Sequence, residues 1–233
     1  MIFERREYEL RPGRLHDFWE AQEKWNVGES AAALIRNNLC YFSVAGSDRV
    51  VHLYRWNSLQ HWQESYAEYY RTQVPEYFRT ARPWVLRQEN CILAQSPVPE
   101  LSELWSGEVP QAPNEAIALG EQMIVIERRL DLAPGGLPAY WDAHASLLAE
   151  PPDYWKASHM ATLPSLIGRH HRVFSYQCFA DMESADRFAE TARADPRWNT
   201  YVAACRDQVV GGAVSVLRPS PVPEQRSLIK GGR

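Results

Sequence analysis

Two distant stretches of this chain are written in the same pattern. Residues 4–21 read ERREYELRPGRLHDFWEA, and residues 127–143 read ERRLDLAPGGLPAYWDA. Aligned on their Pro-Gly pairs, Arg6 falls on Arg128, Leu10 on Leu132, Leu15 on Leu137 and Trp19 on Trp141, each at an offset of 122. Further on, SPVPE at 96–100 recurs at 220–224, an offset of 124. A block that repeats in order at both ends implies duplication. The sequence is therefore read as one unit at 1–97, a Pro-, Glu- and Ser-rich linker at 98–121, a second unit at 122–221 and a tail at 222–233. A length of 233 residues has room for two small domains.

Each unit reads as strand, helix, two strands, helix, strand. In the first, the pattern predicts strands at 2–10, 39–44, 50–56 and 86–93, with helices at 14–26 and 58–73. Pro12-Gly13 ends the first strand in a turn, AGSD at 45–48 joins a hairpin, and Ser58 is placed to cap the second helix. The second unit predicts strands at 124–132, 164–169, 172–179 and 209–217, with helices at 136–149 and 182–207, the latter interrupted at Pro196. This βαββαβ order is the ferredoxin-like split unit, an α+β fold. Two such sheets, each with helices on one face, would bury their bare faces against each other as an α/β barrel with helices outside.

Composition narrows the function classes. Twenty-five Lys+Arg against 29 Asp+Glu leave a net charge of −4 with no basic stripe, which argues against nucleic acid as a partner. No apolar run approaches the ~18 residues needed to span a bilayer, and no secretory leader pattern opens the chain, so a cytoplasmic protein without a membrane partner is expected. Cys40, Cys91, Cys178 and Cys205 are scattered without a CxxC, as free thiols would be. Nine Trp and eleven Tyr suit either an aromatic-lined cavity or an aromatic-rich core. There is no GxGxxG, P-loop or GxSxG, and no carboxylate or His cluster at metal spacing. No cofactor and no metal are expected. Gly211-Gly212 falls within a strand and suggests a bulge or a close backbone approach.

At this point the chain resembles the NIPSNAP family. The likeness is carried by ELRPG at 9–13, VVHLYRWNS at 50–58 and DPRW at 195–198. The resemblance implies the dimeric α/β-barrel superfamily, in which tandem copies are common. Its members include cofactor-free monooxygenases, isomerases, polyketide cyclases and haem enzymes. The second copy departs from the pattern, with VFSYQCF where the first has VVHLYRW, so Ser175 stands for His52 and Gln177 for Tyr54. Any chemistry is expected to be asymmetric.

Strand alternation then sorts the candidate residues. In the third strand Val51 and Leu53 form an apolar set suited to packing under helices. Val50, His52, Tyr54 and Trp56 form a polar and aromatic set suited to lining the barrel. The matching sets are Glu4, Arg6, Tyr8 and Leu10 in the first strand, and Ile126, Arg128, Leu130 and Leu132 in its second-copy equivalent, in the register implied by the resemblance. Val173, Ser175, Gln177 and Phe179 follow by the same parity. In the closing strands Gln88 and Asn90 are expected opposite Val214 and Gly212.

On this reading Arg6 and Arg128 reach into one cavity, where a planar guanidinium fork could hold a carboxylate or phosphate. Each could equally pair with a carboxylate across the sheet, and Glu4 can answer one of them. His52 is the acid/base candidate, because its ordinary pKa of about 6.5 lets it exchange protons near neutrality. Its alternative is a hydrogen-bonded core histidine. Tyr54 or Glu4 would assist it. Tyr8, Trp56, Asn90, Gln177 and His144 would line the substrate, and His159 is expected in a loop that could gate it. His170-His171 reads as a turn rather than a metal pair.

Two functions fit. One is a cofactor-free enzyme that binds a small anionic aromatic or polyketide-like molecule and moves a proton, as an isomerase, cyclase, lyase or monooxygenase would. The other is a binding or protein-interaction scaffold of the same fold. Trp62, Tyr66, Tyr69 and Tyr70 make one helix face too aromatic for solvent, which favours a homodimer.

Overall fold

The computed structural model describes residues 1–25, 37–72, 75–102, 105 and 119–226. The chain divides into two compact units that do not follow the sequence halves. The first gathers 1–92, 107–121 and 217–233, and the second 93–106 and 122–216.

In the first unit, β1 (Ile2–Leu10) ends at a Pro-Gly turn in which Gly13 takes φ +76°, a left-handed conformation that other residues resist. The freed Gly13 N–H donates to Asp48 Oδ2 at 3.2 Å. α1 (Leu15–Trp25) follows and buries Phe18, Trp19, Ala21 and Gln22, spaced to fall on one helical face. β2 (Asn38–Val44) and β3 (Arg49–Trp56) form the hairpin expected around 45–48, with Gly46 at φ +73°. α2 (Leu59–Thr72) is capped by the Ser58 hydroxyl, which accepts from the His61 N–H at 3.0 Å. The sequence reading assigns nothing to 74–85. There the structure adds α3 (Pro75–Ala81) and a short turn at Arg82–Trp84 before β4 (Val85–Ala94). Proline at the first helical position loses no bond the helix would have made.

The hydrogen-bonded order in this unit is β4-β1-β3-β2. β1 and β3 are antiparallel, with Glu4 opposite Tyr54, Arg6 opposite His52 and Tyr8 opposite Val50. Residues 217–219, the end of the chain's last strand, pair antiparallel with β2 at Phe42–Val44. Residues 222–226, expected as the start of a loose tail, are held in place. Gln225 is buried and donates to Gln22 Oε1 at 3.1 Å. Residues 227–233 lie outside the described residues.

The second unit repeats the element order. β5 (Ile124–Leu132) ends in a turn with Gly135 at φ +83° and leads to α4 (Leu137–Leu148). A short α5 (Asp153–Ser158) precedes β6 (His159–Ile167), which starts five residues earlier than the sequence suggested. Pro164 was read as the strand's beginning. Proline also biases the residue before it to extended backbone, and the strand runs through it, with Pro164 opposite Val173. β7 (Arg172–Phe179), α6 (Met182–Ala194), α7 (Pro196–Arg206) and β8 (Val209–Pro219) complete the set. The order is β8-β5-β7-β6, with Arg128 opposite Ser175 and Ile126 opposite Gln177. Antiparallel strands flanked by helices are the ferredoxin-like α+β arrangement read from the sequence. Among the described residues no helix is long and apolar enough to cross a membrane.

The strand sets fall together as alternation predicts, but on the other side from the one expected. In the first unit Tyr8, Leu10, Val50, Tyr54 and Trp56 pack with Phe18, Trp19 and Ala21 of α1, Tyr69 of α2 and Ala81 of α3. In the second, Ile126 and Phe179 pack with Phe188 of α6, and Leu132 and Val173 with Tyr140 of α4. The polar and aromatic sets therefore lie beneath the helices. Val51 and Leu53 take the opposite face, where they too are buried.

Candidate functional site

Each unit holds a cavity between its sheet and its helices. The first, of about 360 Å³, is lined by Arg6, Tyr8, His52, Tyr54, Gln88 and Asn90 from the strands. Aromatic rings of the helices roof it, among them Phe18, Trp62, Tyr66, Tyr69, Tyr77 and Phe78. The second, of about 450 Å³, is lined by Arg128, Thr162, Ser175 and Gln177 from the strands, with Tyr140, His144, Trp155, Trp198 and Tyr201 from the helices. The two arginines expected to share one cavity thus line two.

In the first cavity Arg6 is not free to bind an anion. Its Nε and Nη2 donate to the two oxygens of Glu4 at 2.8 and 3.1 Å, a two-toothed pair with the carboxylate fully buried. Glu4 also accepts from Trp62 Nε1 at 2.9 Å and from Asn90 Nδ2 at 2.9 Å. The guanidinium lies 4.3 Å from the centre of the Tyr54 ring and 4.7 Å from that of Tyr66. Charge and donors are satisfied within the unit, by a carboxylate two residues away on the same strand rather than by one across the sheet.

His52 stands beside that pair. Its ring stacks on Tyr41, with centroids 3.5 Å apart and planes within 7°. Its Nδ1 lies 3.4 Å from the Tyr54 hydroxyl, which is 2.5 Å from that of Tyr41. Burial, with the Arg6 charge adding to it, holds His52 well below the usual histidine range, so the ring is neutral at neutral pH. Its Nε2 is buried without a hydrogen-bond partner among the described residues. Burial pushes Tyr54 and Tyr41 far up, so both stay protonated.

Trp56, expected to line the substrate, does not reach the cavity. It is fully buried and stacks on Tyr54 with centroids 5.8 Å apart. The rings of α2 that suggested a homodimer have another use: Trp62, Tyr66, Tyr69 and Tyr70 line this cavity. The sequence reading noted their excess without seeing what they cover.

The second cavity differs in its charges. Arg128 donates through Nη1 to the Gln177 carbonyl oxygen, and no carboxylate pairs with it among the described residues. Burial lowers its pKa. Gln177 passes its own N–H to Ser158 Oγ at 3.2 Å, and Thr162 Oγ1 bonds Ser175 Oγ at 3.0 Å. His144 donates through Nδ1 to the Tyr140 carbonyl at 3.1 Å and accepts at Nε2 from the Tyr201 hydroxyl at 3.0 Å, which fixes its tautomer. Burial lowers its pKa to about 4.

His159 is not in a loop. It opens β6, stacks on Trp155 at 4.1 Å and donates through Nε2 to the Leu101 carbonyl at 3.3 Å, outside the cavity lining. Val214 is exposed and lines neither cavity, and Gly212 is also absent from both. Among the described residues no group of three His, Cys, Asp or Glu side chains could hold a metal ion.

These features define a class: ferredoxin-like α+β units, each with an aromatic-roofed cavity between sheet and helices. The NIPSNAP family model matches residues 3–99, the span of the first copy and less than half of the chain. Among solved structures, the chain is similar over 98% of its length to 98% of a proposed monooxygenase of Lactobacillus acidophilus, at 11% identity and TM-score 0.60. It is similar over all of its length to 98% of a proposed monooxygenase of Fusobacterium nucleatum, at 10% identity and TM-score 0.63. An anthrone oxidase-like protein is similar over 99% of this chain and 94% of its own, at 15% identity and TM-score 0.61. These likenesses establish the shared fold. No curated protein matches the sequence.

Proposed function

We propose that the first unit binds a small aromatic molecule under its helices and that His52 takes a proton from it without a cofactor. The observation that carries this reading is a neutral, buried histidine whose Nε2 has no partner among the described residues, beside an aromatic cavity of about 360 Å³. With Nδ1–H donating to Tyr54, Nε2 offers a lone pair to a phenol or an enolisable C–H. The anion left on the substrate forms in a site shielded from water, where hydroxyl donors rather than the Glu4-paired Arg6 must stabilise it. Glu4, held by Trp62 and Asn90, keeps the guanidinium in place. Tyr8, 3.5 Å from Arg6 Nη1, is available to contact the substrate oxygen. The solved structures described as proposed monooxygenases and as anthrone oxidase-like are consistent with a reaction that begins by deprotonating a phenolic ring system.

The test is turnover of hydroxylated polycyclic aromatics, anthrone first, by the intact chain and by His52→Gln. Loss of about 10²–10⁴ in kcat with substrate binding retained supports the reading. Because His52 must be neutral to act, kcat/KM should hold as pH falls through 6.5 and decline only well below it. The scaffold alternative gains support from Glu4 and Arg6, which satisfy each other as a framework pair would. Binding without turnover, unchanged in His52→Gln, would favour it.

A further inference from the structure

The two units treat their matching arginines in opposite ways. Glu4 faces Tyr54 across β1 and β3, and Ile126 faces Gln177 at the same place across β5 and β7. The first unit thus supplies Arg6 with a carboxylate, and the second gives Arg128 an isoleucine instead. Ile126 is buried in the core with Phe179 and Phe188. Among the described residues Arg128 bonds the neutral Gln177 oxygen and no carboxylate. No acidic side chain lines this cavity, and its other charged lining residue, Arg206, is exposed. A guanidinium partly withdrawn from water without a counter-charge is costly, and its remaining donors are available to an anion.

We infer that the second unit's cavity is a binding site for a small aromatic monocarboxylate, anchored by Arg128. One half-buried cation matches one negative charge. Ser175 faces Arg128 in the strand register and is hydrogen-bonded to Thr162, so hydroxyls stand beside the guanidinium for a carboxylate's second oxygen. Tyr140, Trp155 and Trp198 give the organic body an aromatic wall, in a volume of about 450 Å³. His144 and Tyr201 satisfy each other and add no charge. The site is separate from the first cavity and does not depend on His52.

The experiment is calorimetric titration of the intact chain with 1-naphthoate, 1-naphthalenemethanol and 1-naphthyl phosphate. The acid should bind more tightly than the alcohol or the phosphate. Arg128→Gln should weaken the acid by about tenfold or more, leaving the alcohol within about twofold. Ile126→Glu rebuilds the pair seen in the first unit and should cancel the preference for the acid while the fold persists by circular dichroism. Naphthoate affinity unaltered in both folded variants, no binding of the acid at all, or tighter binding of the phosphate would each overturn the inference.

Discussion

Arg6 and Arg128 show how much a single neighbour decides. Both were legible as pseudo-equivalent arginines from the offset of 122, and both face cavities. Their difference was also written in the sequence, at positions 4 and 126, but reading it required knowing which side chains share a strand face. His144 and His159 carry a prediction at this scale. Burial holds each at about 4, while the unfolded chain's histidines titrate near 6.5. Above pH 6.5 both are neutral in either state and their contribution is complete. As pH falls towards 4, the unfolded chain takes up protons that the folded chain refuses, so stability declines. The loss should reach at most about 3 kcal/mol for each histidine. Urea unfolding at pH 7 and pH 4.5 measures it, and His144→Gln should lose less over the same interval, with His52 and His159 still contributing. An equal loss in that variant would show that His144 is not the group responsible.

At the scale of elements, periodicity located most strands and helices. The first and fifth strands run 2–10 and 124–132, as their apolar spacing indicates. α3 and α5 are missing from the sequence pattern because each is short and starts at or just after a proline, which reads as punctuation in a sequence and begins a helix equally well. Alternation separated the two faces of β3 correctly, yet it assigned them to the wrong sides. The physical reason is that both faces are buried: Val51 and Leu53 are as inaccessible as Val50 and Tyr54, so polarity was a poor guide to which set meets the helices. The glycine pair in β8 was read as a close approach, and Gly212 is one. A Cβ there would meet the Arg129 carbonyl oxygen at 2.6 Å, whereas one at Gly211 would have only Asp131 atoms at 3.8 and 3.9 Å. Gly212→Ala should therefore destabilise the second unit by about 1–3 kcal/mol, and Gly211→Ala by far less. Thermal melts of the two variants, compared side by side, check this, and equal melting temperatures would count against the close approach.

At the scale of the whole molecule, the unit that a residue belongs to is not given by its place in the chain. Residues 217–221 close the second repeat and 222–226 follow it, yet all are part of the first unit, where Ser220 N–H donates to the Tyr41 carbonyl at 2.8 Å and Leu217–Pro219 pair with β2. A chain ended at Val216 should lose at least about tenfold of the amide-exchange protection of Tyr41–Val44 while β5 and β7 keep theirs. Protection unchanged in β2 would mean that the last strand's end is dispensable to the first unit. The sequence by itself determined the repeat, the ferredoxin-like order, the Pro-Gly turns and the residue sets that share a strand face. Each of these follows from local propensity and side-chain alternation, which act over a few residues. Only the tertiary structure decided that the arginines occupy separate cavities, that the rings of α2 roof one of them, and that Arg6 has a counter-charge while Arg128 has none among the described residues. Those outcomes depend on which face of a sheet the helices cover, and that is set by the packing of side chains far apart in the chain.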